Sequence, residues 1–225
     1  MDYNLMKNNK VFVSGEVLTE PKFSHEVYGE NFFEFDLKVL RLSDSYDIIP
    51  VTISEKLLAE HNIGIGSMLC GNGQFRSYNK LEDNKSKLML TVFLREILPY
   101  TVSENPNYIE ITGYVCKEPV FRTTPFKREI SDVLLAVNRS YNKSDYLPCI
   151  AWGRNARFVK NFNVGDKVSV TGRIQSREYQ KKINDEFVTK TAYEVSLNKI
   201  ELIKEDTDVD MVMTSAGQLE NYYVR

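Results

Sequence analysis

The sequence predicts an all-β protein of two tandem five-stranded barrels, each with a short helix between its third and fourth strands. Three observations carry this: an internal repeat at a spacing of about 98 residues, strand-like alternation through each copy, and one helical stretch at the same place in both. The repeat is the strongest of them, because self-similarity at a fixed period marks a duplicated structural unit. "VSGEVLTEPKF" at 13–23 returns as "ITGYVCKEPVF" at 111–121, with Gly15, Val17, Glu20, Pro21 and Phe23 all recurring. The same offset carries Val39, Arg41 and Pro50 onto Val137, Arg139 and Pro148. One residue more aligns "GSMLCGNGQFRS" (66–77) with "GDKVSVTGRIQS" (165–176), and "VFLREI" (92–97) meets "VSLNKI" (195–200) after a longer loop. These matches divide the chain into residues 1–104, residues 105–203 and a tail, 204–225.

In the second copy the elements follow in order. "YIEITGYV" alternates, and its Gly113, like Gly15 in the first copy, suits a sharply bent first strand. "SDVLLAVNRS" and "YLPCIAW" are apolar and β-branched runs bounded by turn residues. "GRNARFVKNF", with "SEKLLAEHN" as its counterpart, reads as a helix of two to three turns. "KVSVTGRIQS" and "TAYEVSLNKIEL" return to strand. Five strands with a helix between the third and fourth is the order of an oligonucleotide/oligosaccharide-binding (OB) barrel. Phe23, Phe35 and Phe121 are expected in the cores.

Composition narrows the function classes. A hydrophobic share of 42% with 27% charged residues is ordinary for a globular protein. No apolar run reaches the length of a membrane span, and "MDYNLMKNNK" lacks a signal-peptide core, so a soluble cytoplasmic protein is expected. Cys70, Cys116 and Cys149 are odd in number and sit in strand-like sequence, which suits small core residues rather than a disulfide framework. The glycine-rich "GIGSMLCGNG" lacks the strand, loop and helix order of a phosphate cradle. His25 and His61 both fall in the first copy, the cysteines show no ligand spacing, and no carboxylate pair repeats. No metal, cofactor or catalytic role is expected.

Charge separates the copies. Residues 1–104 carry a net −4, residues 105–203 a net +5 and the tail −3, so the second copy alone has the electrostatic footprint of a polyanion binder. Its strand faces sharpen this. In "KVSVTGRIQSREY", Val168, Val170, Gly172 and Ile174 alternate with Arg173, Gln175, Arg177 and Tyr179, and period two gathers the basic and aromatic set on the outer face. In "YLPCIAW", Leu147, Cys149 and Ala151 face inward, leaving Tyr146, Ile150 and Trp152 outside. A lone strand tryptophan is more often buried than displayed. Parity, the neighbouring Arg154 and Arg157 and the charge of the copy favour display. Bases stack on such rings for about 1 to 3 kcal/mol each, with arginines and lysines holding the phosphates.

The stretch "LLAVNRSYNKSDYLPCIAWGRNARFVKNFNVGDKVSVTGRIQSREY" strongly resembles the bacterial single-stranded DNA-binding protein family. The resemblance covers most of the second copy and reaches the first only through the repeat. It implies base-stacking aromatics at Tyr141, Tyr146, Trp152 and Tyr179, with phosphate contacts at Arg139, Arg154, Arg173, Arg177, Lys181 and Lys182. It also implies single-stranded DNA as partner, a nucleoid-associated location, replication or repair proteins as further partners, and a homodimer giving four OB folds. The first copy departs from the pattern: Ser43, Ile48 and Ser54 stand where the second has Tyr141, Tyr146 and Trp152, and only Tyr78 survives near the hairpin position. It is expected to bind weakly or not at all, although Tyr28, Phe32 and Phe33 could touch a strand. The tail departs too, ending in Tyr222, Tyr223, Val224 and Arg225 rather than an acidic proline- and phenylalanine-containing tip. The competing reading is a primosomal or replisome assembly adaptor whose barrels hold protein; it expects the aromatic face to be buried in an interface.

Overall fold

Proline sets the first departure from a simple five-strand count. In the computed structural model, which describes residues 7–82, 85–183 and 186–204, the long first strand of each barrel is interrupted through the repeated "EP" and resumes just after it. Pro21 and Pro119 have no backbone N–H to give the ladder. The strand therefore appears as β1 (Asn9–Val17) and β2 (Lys22–Val27) in one barrel, and as β7 (Asn107–Val115) and β8 (Val120–Thr123) in the other. The remaining elements of the first barrel are β3 (Glu30–Leu40), β4 (Tyr46–Ser54), α1 (Glu55–His61), β5 (Met68–Glu82) and β6 (Lys85–Leu98). Those of the second are β9 (Glu129–Arg139), β10 (Lys143–Trp152), α2 (Arg154–Val159), β11 (Lys167–Ile183) and β12 (Glu186–Leu202). Counted with the interrupted strand as one, each barrel has five strands and its helix between the third and fourth.

Each barrel closes in the same way. β1 leaves its β5 partner to pair with β3 at Glu16 and Val17, and β7 reaches β9 at Tyr114 and Val115. That crossing brings backbones together at Gly15 and Gly113. A Cβ on Gly15 would collide with the Lys38 carbonyl, and on Gly113 it would lie 2.8 Å from the Ala136 carbonyl oxygen. β4 and β6 run parallel, as do β10 and β12, completing the barrels. α1 starts at Ser54, whose hydroxyl accepts from the Leu57 amide, a capping bond that satisfies an otherwise orphaned donor. Inside lie the alternating residues expected to do so, among them Val13, Phe35, Leu37, Phe75, Leu135, Leu147, Cys149, Val170 and Ile174. Phe23 and Phe121 are corrections. Both are exposed, because β2 and β8 lie at the two ends of the sheet and pair only with β3 and β9.

The barrels are not beads on a string. β1 pairs antiparallel with β7, from Asn9↔Ile111 to Val13↔Asn107, and fuses all strands into one 12-stranded sheet. A polar seam backs this joint. The Asp47 carboxylate of the first barrel accepts the Ser176 amide of the second at 2.8 Å, while Ser176 Oγ accepts the Ile48 amide at 3.1 Å. The repeat produces the mirror arrangement: Asp145 accepts the Ser77 amide at 2.8 Å, and Ser77 Oγ accepts the Tyr146 amide at 2.7 Å. Both carboxylates are buried, and each keeps an arginine from its own barrel, Arg41 on Asp47 and Arg139 on Asp145.

Candidate nucleic-acid interface

β10 carries two of the four aromatics. Leu147, Cys149 and Ala151 point into the core, and parity turns Tyr146 and Trp152 outward, 47% and 37% exposed. Six residues of strand set them about 20 Å apart. Trp152 is anchored at its edge, where Nε1 donates to Ser196 Oγ at 3.2 Å, so the indole is displayed and yet oriented. Ile150 lies between them and is buried. Its register neighbours Asp132 and Ser196 hold the Arg122 guanidinium and the Trp152 indole, and these larger groups leave it little solvent.

Tyr141 is 86% exposed at the β9–β10 turn, where it and Asn142 adopt φ of 62° and 54°. Left-handed backbone at a residue other than glycine is uncommon and asparagine tolerates it best, so the tyrosine is held outward at some conformational expense. Tyr179, 38% exposed, is carried by β11 beyond the barrel wall, and the Arg177 guanidinium lies 5.9 Å from its ring centre. All four predicted aromatics are thus solvent-facing on the second barrel.

The basic residues divide into two groups. Arg154 is exposed at the start of α2, Arg177 is exposed and 3.5 Å from Glu194, and Lys182 is exposed on the β11 arm. The Lys181 side chain lies outside the described set. Arg139 and Arg173 belong instead to the seam: Arg139 pairs with Asp145 at 3.3 Å, and Arg173 with Asp47 of the other barrel at 2.9 Å. Their side chains are about one-third exposed, with their charge already opposed by a buried carboxylate.

Two features escaped the sequence reading. Glu194 sits among the basic residues of β11, accepting from Gln175 Nε2 at 2.7 Å and pairing with Arg177, which tempers the positive face. Beside Trp152, the β8–β9 hairpin supplies Lys127 and Arg128, which with Thr123, Glu129 and Gly153 line an open pocket of about 500 Å³. Phe126 at that hairpin tip is exposed. The run "FKRE" was the available signal, but it falls in a turn where strand parity says nothing.

The first barrel lacks this platform. Tyr78 is tied to Glu34 through its hydroxyl at 3.0 Å, and Phe32 is buried between His25 and Phe93, with ring centres 5.1 and 5.4 Å away. Tyr28 projects fully into solvent at the β2–β3 turn. The aromatic of this barrel has moved to the neighbouring strand: Ser54 replaces Trp152, while Phe93 on β6 stands where β12 has Ser196. Among the described residues no His, Cys, Asp or Glu cluster has metal-binding geometry, and no helix is long and apolar enough to cross a membrane.

The model for the single-strand binding protein family matches residues 106–203, the whole of the second barrel. Single-stranded DNA-binding protein 1 of Staphylococcus aureus (strain COL) is 33% identical over 81 residues, covering 33% of this chain and 48% of the relative. The chain spans about half the length of the curated relatives it matches. Among solved structures, a deletion variant of the single-stranded DNA binding protein from Thermus aquaticus superposes with a TM-score of 0.65 at 20% identity, over 90% of this chain and 97% of its own, a likeness of fold across both barrels. The dimeric N-terminal domain of PriB protein from Thermoanaerobacter tencongensis is 44% identical over 42% of this chain and 100% of its own, with a TM-score of 0.36. The match to the single-strand binding protein family over residues 106–203 thus falls on the barrel that carries the aromatic face.

Proposed function

We propose that the chain binds and protects single-stranded DNA without catalysis, chiefly through its second barrel, in replication, recombination or repair. The observation that carries this is the display of Tyr141, Tyr146, Trp152 and Tyr179 on a barrel of net positive charge, where stacking on bases gives four ring faces a partner. Arg154, Arg177, Lys182 and, from the hairpin, Lys127 and Arg128 supply phosphate contacts. Arg139 and Arg173 contribute mainly by holding the two barrels in register. Residues 1–104 form the supporting barrel, residues 105–203 the binding one, and two chains assemble as a homodimer of four barrels. The tail, whose end departs from the family's acidic tip, lies from residue 205 onward outside the described residues.

Trp152 provides the test. Titration with oligo(dT) should quench its fluorescence strongly, and less so as salt is raised, because phosphate contacts release counterions. Unchanged fluorescence together with no oligonucleotide retention in a filter assay would overturn the reading and leave the assembly adaptor in its place.

A further inference from the structure

The two halves of the inter-barrel seam match in position and differ in completion. Around Asp47, Arg41 donates to both carboxylate oxygens, Arg173 to one and the Ser176 amide to the other. Around Asp145, Oδ1 takes the Ser77 amide and Arg139, while Oδ2 finds no hydrogen-bond partner among the described residues. The buried Nε of Arg76 is likewise unpartnered. Buried polar atoms without partners are rare in folded proteins and call for a physical reason.

The repeat supplies one. Arg173 and Gln175 of β11 correspond to Gln74 and Arg76 of β5, so the arginine and glutamine have changed places. The exchange lays the Arg76 guanidinium over Phe93 at 4.0 Å from the ring centre, with its Nη2 bonded to Gln74. The Arg95 guanidinium lies 5.9 Å from the same ring, where the second barrel has the neutral Asn198. Burial first, then Arg139 and Arg95, push Arg76 down to about 10, with Asp145 opposing them. Arg139 and Arg76 therefore both bear on Asp145, with Arg95 adding positive charge beside Arg76, and a part-buried excess of positive charge attracts an anion. The cluster also adjoins the aromatic platform, since Asp145 precedes Tyr146 and Arg139 lies two residues before Tyr141.

We propose that Arg76, Arg95 and Arg139 form a phosphate seat at the seam, which carries a single strand from Tyr141 and Tyr146 of the second barrel onto the first. This rests on the single-strand reading above. The first barrel then takes part through charge held on Phe93, without a stacking platform of its own. Guanidinium groups suit this role because their planar forks match phosphate oxygens.

The experiment compares wild type with Arg95→Gln and with the double variant Arg76→Gln/Arg95→Gln, titrated with oligo(dT) of increasing length and followed by Trp152 fluorescence. Both variants should bind the shortest retained oligonucleotide as wild type does, and the double variant should lose roughly tenfold on longer ones. The slope of log affinity against log salt should flatten by about 0.7 for each phosphate contact removed. Arg95 is exposed, so its single variant keeps the test open if the part-buried Arg76 proves necessary for folding. Wild-type affinity and salt slope at every length in folded variants would overturn the seat alone. Failure of wild type to bind any length would overturn the single-strand reading, and the seat with it.

Discussion

At the scale of single residues, Tyr141 and Trp152 separate binding from stability. Tyr141 is almost fully exposed in its turn, so Tyr141→Ala should leave the melting temperature unchanged while weakening oligo(dT) binding about tenfold. Trp152→Ala should weaken binding similarly and also lower stability slightly, since the Ser196 bond and the cover over Ile150 go with it. The arginines divide in the opposite sense. Arg154→Gln should flatten the salt dependence of binding by about 0.7 with no change in unfolding, whereas Arg173→Gln should lower the urea midpoint through its lost contact with Asp47. The aromatic set was legible in the sequence because strand parity is local: Leu147, Cys149 and Ala151 fix which way Tyr146 and Trp152 point. The engagement of Arg139 and Arg173 was not, because the carboxylate opposing Arg173 comes from the other barrel, 126 residues away in sequence.

Single elements show what a repeat can and cannot convey. The bend of each first strand was visible as Gly15 and Gly113, and the close approach of Gly113 to the Ala136 carbonyl makes the requirement specific. Gly113→Ala should destabilise the protein by about 1 to 3 kcal/mol, read as a lower urea midpoint, because the strand must move to admit the methyl group. The interruption that ends at Pro21 and Pro119 was encoded in the same motif. Its consequence for Phe23 and Phe121 was hidden, because edge position follows from sheet order rather than from alternation. The helices were placed correctly but are shorter than their periodicity suggested, at seven and six residues. The β8–β9 hairpin, with Phe126, Lys127 and Arg128 beside Trp152, is the element that sequence reasoning passed over.

The whole molecule behaves as one sheet. With β1 and β7 paired and two buried carboxylates crossing the joint, unfolding followed by Trp152, which reports the second barrel, should coincide with unfolding followed by far-ultraviolet circular dichroism, which reports both. Asp47→Ala removes the group that holds Arg41, Arg173 and the Ser176 amide, and should lower stability by roughly 2 to 3 kcal/mol and separate the two transitions. The duplication was the clearest signal in the sequence. The joint had none, since Asn9 and Ile111 become neighbours only when both barrels have formed. The β1–β7 pairing also bears on dilution. Barrels on separate polypeptides part as their concentration falls, whereas these are held at the millimolar effective concentration that a short tether provides. Their one-to-one ratio is therefore guaranteed at any expression level, and each half always meets its unlike partner. Such a permanent mixed pair lets the two barrels differ in their exposed rings, as Ser54 and Trp152 do, a divergence that a freely exchanging pair of identical subunits could not maintain.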